Sequence, residues 1–106
     1  MNGKGKEYYK NGELLFEGEY LKGKRWNGKG YNNDGFLRFE LQNGCGKIKE
    51  YNDYGELIFE GEYLNGERNG KGKGYYDDGT LKFEGEYLYN QKRKGKLYMK
   101  LKKEEV

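Results

Sequence analysis

Carboxylates two residues apart are the first candidates for chemistry in this 106-residue chain. Glu17/Glu19, Glu60/Glu62 and Glu84/Glu86 each set two acids on one side of an extended strand, within the range of about 5–9 Å used by glycosidase acid/base pairs. Acid–base work needs two unlike environments to separate the pKa values. These pairs instead recur in one identical Glu-Gly-Glu frame, which points to a solvated face pairing across strands with lysine. Gly28-Lys29-Gly30 and Gly70-Lys71-Gly72-Lys73-Gly74 suggest a phosphate cradle, yet neither has dinucleotide or Walker spacing and no helix pattern follows. Asp77-Asp78-Gly79 offers two acids where calcium takes about six to eight oxygens, so it reads as a turn. Ser and His are absent, which removes Ser-His-Asp triads, Cys–His pairs and histidine metal sites. Cys45 stands alone, an incidental thiol that favours a reducing setting. The expectation is a chain with no catalytic residue, no cofactor and no metal, and not an enzyme.

The elements that would carry these residues are written as a repeat. Gly3–Leu21 recurs as Gly70–Leu88, differing only at Gly74, Asp77, Asp78, Thr80 and Lys82. A third copy runs from Gly46 to Leu64, and a degraded one keeps Gly28, Gly35, Leu37, Phe39 and Glu40 but has Leu41 where the others have glycine. The expected organisation is a single domain of units 3–21, 26–44, 46–64 and 70–88 plus a terminal strand 95–101. In Leu81–Tyr87 the residues Leu81, Phe83, Gly85 and Tyr87 share one face, and Lys82, Glu84 and Glu86 the other. That is the two-residue period of a strand. Asn11-Gly12, Asp34-Gly35, Asn43-Gly44, Asn65-Gly66 and Asp78-Gly79 supply turns. Strands are predicted at 4–9, 13–21, 28–32, 36–42, 45–51, 56–64, 71–76, 80–88 and 95–101, in an all-β, elongated, single-layer antiparallel meander of repeated hairpins. Glycines inside strands mark close approach, and the expected neighbour is a cross-strand ring, with Gly18, Gly61 and Gly85 serving the same purpose.

Phe16-Glu-Gly18-Glu-Tyr20-Leu-Lys-Gly23 followed by Asn27-Gly28-Lys29-Gly30 resembles the MORN (membrane occupation and recognition nexus) repeat, as does Phe59-Glu-Gly61-Glu-Tyr63-Leu-Asn-Gly66 with Asn69-Gly70-Lys71-Gly72. Phe83–Tyr87 matches its first half, with Tyr89-Asn90-Gln91 replacing the glycine turn. The resemblance covers nearly the whole chain. It implies a MORN-type repeat sheet acting in scaffolding, dimerisation or peptide binding, with affinity for anionic phospholipid. Bacterial antitoxin-like proteins carry similar Tyr-Tyr-x-Asn-Gly-x-Leu repeats, which adds an immunity-type inhibitor of a protein partner to the alternatives.

Two sets of residues are candidate binding sites. Phe16, Tyr20, Phe39, Phe59, Tyr63, Phe83 and Tyr87 form an aromatic stripe that a single layer would leave partly open as a partner groove. The basic stretches 22–26, 67–68 and 91–94, read as hairpin loops, offer Lys22, Lys24, Arg25, Trp26, Arg68, Lys92, Arg93 and Lys94 to anionic phospholipid. A net charge of +3 without a clustered patch argues against nucleic acid. The alternation Leu97, Met99, Leu101 suggests an open edge for a homodimer. No apolar run reaches the roughly 20 residues of a membrane span, and residues 1–20 hold no leader pattern. The expected setting is cytoplasmic, with peripheral contact to a membrane.

Overall fold

A computed structural model describes residues 2–98. Nine strands follow in order: β1 (Gly3–Tyr8), β2 (Leu14–Leu21), β3 (Lys24–Tyr31), β4 (Leu37–Leu41), β5 (Gly46–Tyr51), β6 (Leu57–Leu64), β7 (Glu67–Tyr75), β8 (Leu81–Leu88) and β9 (Gln91–Leu97). Every paired neighbour is antiparallel and consecutive, so the chain is an all-β meander. It forms two sheets, β1–β4 and β5–β9, joined by one bridge between Gln42 and Cys45. The molecule measures 54 × 33 × 20 Å.

Register explains both the sheets and their division. A row of glycines crosses the strands as Gly5–Gly18–Gly28 in the first sheet and Gly61–Gly72–Gly85–Gly95 in the second. Leu41 continues the first row opposite Gly28, and Ile48 opens the second opposite Gly61. These two side chains are each 2% exposed and belong to one core cluster. The sheets therefore part where the row changes from glycine to bulky aliphatics. The plug takes Leu41 from the degraded repeat copy and Ile48 from the copy that follows it.

The glycines play two roles. A Cβ on Gly72 would sit 2.8 Å from Cε1 of Phe59 and 3.1 Å from Cδ1 of Tyr87, so rings do lie against bare backbone there. Gly18 and Gly85 differ from expectation. An added Cβ at either would first strike the opposing strand, at the carbonyls of Asn27 and Lys94 respectively. Their job is close strand-to-strand approach.

Turns fall into two classes at opposite strand ends. Lys22-Gly23, Asn43-Gly44, Asn65-Gly66 and Tyr89-Asn90 are two-residue turns with both φ angles positive, the pattern that matches hairpin twist. At the other end Asn32 Oδ1 accepts from the amides of Asp34 and Phe36, and Asn52 Oδ1 from those of Tyr54 and Glu56. Because the two-residue turns are so tight, β3, β7 and β9 begin at Lys24, Glu67 and Gln91 rather than at the predicted 28, 71 and 95. The stretches 24–26, 67–68 and 91–94 are thus strand, not loop. The predicted strand segment 99–101, including Met99 and Leu101, lies outside the described residues.

Candidate binding surface

The aromatic stripe is closed. Phe16, Phe39, Phe59, Phe83 and Tyr87 are 0 to 6% exposed and form the core, with Tyr20 and Tyr63 packed beside them. The expected open groove is therefore corrected: basic side chains of the same strands, which the sequence assigned to loops, fold over the stripe. Arg25 leaves β3 with its guanidinium carbon 5.0 Å from the Phe16 centroid. Arg68 leaves β7 in the same way, 4.3 Å from the Phe59 centroid and 5.8 Å from that of Tyr87. Lys92 of β9 brings its Nζ to 5.4 Å from the Phe83 centroid. Guanidinium planes stack well on rings and still present a donor fork at their rim.

A carboxylate fills each fork. Arg25 donates from Nε and Nη2 to the two oxygens of Glu7, both at 2.7 Å, and Tyr20 donates its hydroxyl to the same carboxylate. Arg68 repeats the pattern on Glu50 at 2.8 and 2.9 Å, with the Tyr63 hydroxyl as third partner. Burial pushes the Glu7 and Glu50 carboxyls upward, but the arginine and tyrosine hydrogen bonds and the arginine charge outweigh it and hold both below the usual 4.5. Burial, then the Glu7 hydrogen bond and charge, raises the Tyr20 phenol to about 12. The Tyr63 phenol is raised for the same kinds of reason, burial first. These shifts keep each Glu–Arg–Tyr unit charged, protonated and locked across the neutral range. The spacing of a glutamate nine residues before Phe16 and before Phe59 carried this signal; Gly30 and Gly74 take that place before Phe39 and Phe83.

The remaining basic candidates do not form one patch. Lys22 sits exposed in the first tight turn, and Lys24 pairs with Glu67 at 3.0 Å. Trp26 is half-buried against the Asn43-Gly44 turn, where its carbonyl accepts the Gly44 amide at 2.8 Å. Lys92, Arg93 and Lys94 lie on exposed β9, the last strand of the other sheet.

The opposite face of the strands carries what the stripe lacks. One row reads Lys6–Glu17–Lys29–Glu40 across the first sheet and Lys49–Glu60–Lys73–Glu84–Lys96 across the second. A second row holds Lys4–Glu19–Asn27, Lys47–Glu62 and Lys71–Glu86–Lys94. Lys6 meets Glu17 at 3.4 Å and Lys73 meets Glu84 at 3.6 Å. Between the rows of the second sheet runs a trough of about 740 Å³ crossing β5–β9, floored by Ile48, Gly61, Gly72, Gly85 and Gly95. A similar trough of about 850 Å³ crosses the first sheet over Gly5, Gly18 and Gly28. No family model, curated protein or solved structure matches this chain.

The Glu17/Glu19, Glu60/Glu62 and Glu84/Glu86 pairs form the walls of these troughs. Their partners are cross-strand lysines, the Lys71 amide on Glu62 and the Tyr75 hydroxyl on Glu60. The geometry is that of an extended, side-chain-lined trough, with charges of both signs presented at fixed intervals.

Among the described residues no helix is long and apolar enough to cross a membrane, and no cluster of three or more acidic, Cys or His side chains could hold a metal ion.

Proposed function

We propose that this chain is a non-catalytic interaction module that receives a protein partner in the glycine-floored trough of its second sheet. The observation that carries the reading is the trough itself: about 740 Å³, open along five strands, with a backbone floor and walls of alternating lysine and glutamate. Adjacent side-chain rows on a strand face stand about 6.6–6.8 Å apart, which suits one extended peptide segment laid across the strands. Peptide groups of such a segment meet unhindered backbone, while its charges meet lysine or glutamate. The resemblance of the Glu-Gly-Glu-Tyr frames to MORN arrays, which act as scaffolds, supports the same reading. The aromatic stripe enters this function indirectly, by fixing the curvature and spacing of the strands from behind.

The test uses the full chain as bait, with cross-linked capture and amide-exchange mapping of the complex. Lys71→Gln with Lys73→Gln, which removes the lysine charges without setting glutamate against glutamate, is expected to weaken partner binding several-fold while circular dichroism shows the sheet intact. A partner that survives this neutralisation, or a footprint over Arg25 and Arg68, would overturn the proposal.

A further inference from the structure

The outer edge of β9 has no partner strand among the described residues, and its composition says what kind of strand would fit. Strands alternate in charge on the polar face through the whole meander. Along the two rows above, odd-numbered strands present lysine, with Asn27 the exception, and even-numbered strands present glutamate, while Arg38 of β4 and Lys82 of β8 add cations beyond the rows. Among the described residues β9 closes the series on lysine. It carries Lys92, Arg93, Lys94 and Lys96 without one acid, and all its residues are exposed.

Two copies of this chain cannot use that edge well. Pairing β9 with β9 sets lysine against lysine. Pairing it with β1, the other end of the array, does the same, because β1 presents Lys4 and Lys6. Like charges directly opposite destabilise a strand pair, and lysine on an edge discourages self-pairing. We infer that β9 is a docking edge for an acidic extended segment of another protein, one carrying the pattern Glu-Gly-Glu. In register such a segment would place its carboxylates beside Lys94 and Lys96 and its glycine beside Gly95, as Glu86, Gly85 and Glu84 already do from the other side. Backbone hydrogen bonding supplies affinity and alternate side chains supply selectivity, as in other strand additions. This inference stands whether or not the trough has an occupant, since the added strand runs along β9 rather than across the sheet.

The probe is a synthetic peptide with the sequence Leu81–Leu88, compared with versions carrying Gln-Gly-Gln or Lys-Gly-Lys in place of Glu-Gly-Glu. Calorimetric titration of the full wild-type chain is expected to rank Glu-Gly-Glu at least tenfold above Gln-Gly-Gln, with no binding of Lys-Gly-Lys. Affinity is expected to fall as salt rises, and NMR shift changes should follow Gln91–Leu97. In a second arm, Lys94→Glu with Lys96→Glu should reverse the ranking and select Lys-Gly-Lys. Equal binding of all three peptides by the wild type, absence of binding, or shift changes at β1 in place of β9 would each sink the proposal. Because the peptide series leaves the protein unaltered, fraying of β9 in the double variant cannot decide the result.

Discussion

Arg25 and Arg68 combine two interactions that usually compete for a side chain, a ring stack and a bidentate ion pair. The pairs are only partly shielded, with side-chain exposure of 24% and 36% for Arg25 and Glu7, and 27% and 17% for Arg68 and Glu50. Their worth therefore falls below that of a fully buried pair. Arg68→Ala removes the cover of Phe59 and strands the Glu50 charge, so it should destabilise by roughly 2–3 kcal/mol. Glu50→Gln keeps the cover and should cost about half as much, read as a smaller fall in melting temperature. Equal losses would show that the ring stack contributes nothing. The pH profile follows from the same groups. Phenols raised to about 12, at Tyr9, Tyr20 and Tyr75, give stability that is complete below pH 10 and lost as pH climbs toward 12. Carboxyls held below 4.5 at Glu7 and Glu50 give stability complete above that value and lost as pH falls further. Melting temperature should thus be flat through neutrality and drop at both ends. A rise between pH 10 and 12 would contradict the phenol contacts.

At the scale of strands, glycine outranks propensity. Valine is the better strand former, but a Cβ on Gly61 would lie 2.6 Å from Gly72 Cα and 2.9 Å from Phe59 Cζ. Gly61→Val should therefore destabilise by roughly 1–3 kcal/mol, a fall of about 4–8 °C per kcal/mol in a domain this small. A variant as stable as the parent would remove close packing as the reason for the glycine row. The strands themselves were legible because Phe-Glu-Gly-Glu-Tyr alternates without interruption. What was not legible was where each returning strand starts. Arg25, Arg68 and Lys92 follow turn residues and look like solvated loop cations, but the tight two-residue turns bring them straight into register opposite Tyr20, Tyr63 and Tyr87. The turn at Tyr89-Asn90 lacks glycine, yet both residues take positive φ, so its sequence gave no warning. The buried state of the aromatic stripe was hidden for a related reason, since its covering layer consists of charged residues. The row of alternating charge, by contrast, could be read from the repeat alone once the strands were paired.

For the whole molecule, the question is whether two sheets behave as one body. The connecting bridge is small, but the cores meet: Tyr63 of β6 packs against both aromatic clusters. End-to-end turn contacts reinforce this, with the Gly66 amide on the Gly44 carbonyl at 2.9 Å and the Lys10 amide on the Asp53 carbonyl at 2.9 Å. Lys24 reaches Glu67 across the same junction. Trp26, the single tryptophan, lies in the first sheet, so its fluorescence reports that half. Gly61→Val, placed in the second sheet, should shift the Trp26 transition and the far-ultraviolet transition together. A Trp26 signal that ignores the substitution would establish two independent folding units, contrary to a shared core.

The sign alternation across the meander has a further consequence, one of arithmetic. In the paired rows lysine faces glutamate, so removing or inserting one internal strand would bring lysine beside lysine or glutamate beside glutamate. Removing or adding a hairpin preserves the sequence of signs. The interior of an array built this way changes by two strands at a time and resists change by one, whereas an end can still take a single strand of opposite sign. Parity, enforced by lysine and glutamate, selects the hairpin as the unit in which such a sheet can be duplicated, trimmed or spliced.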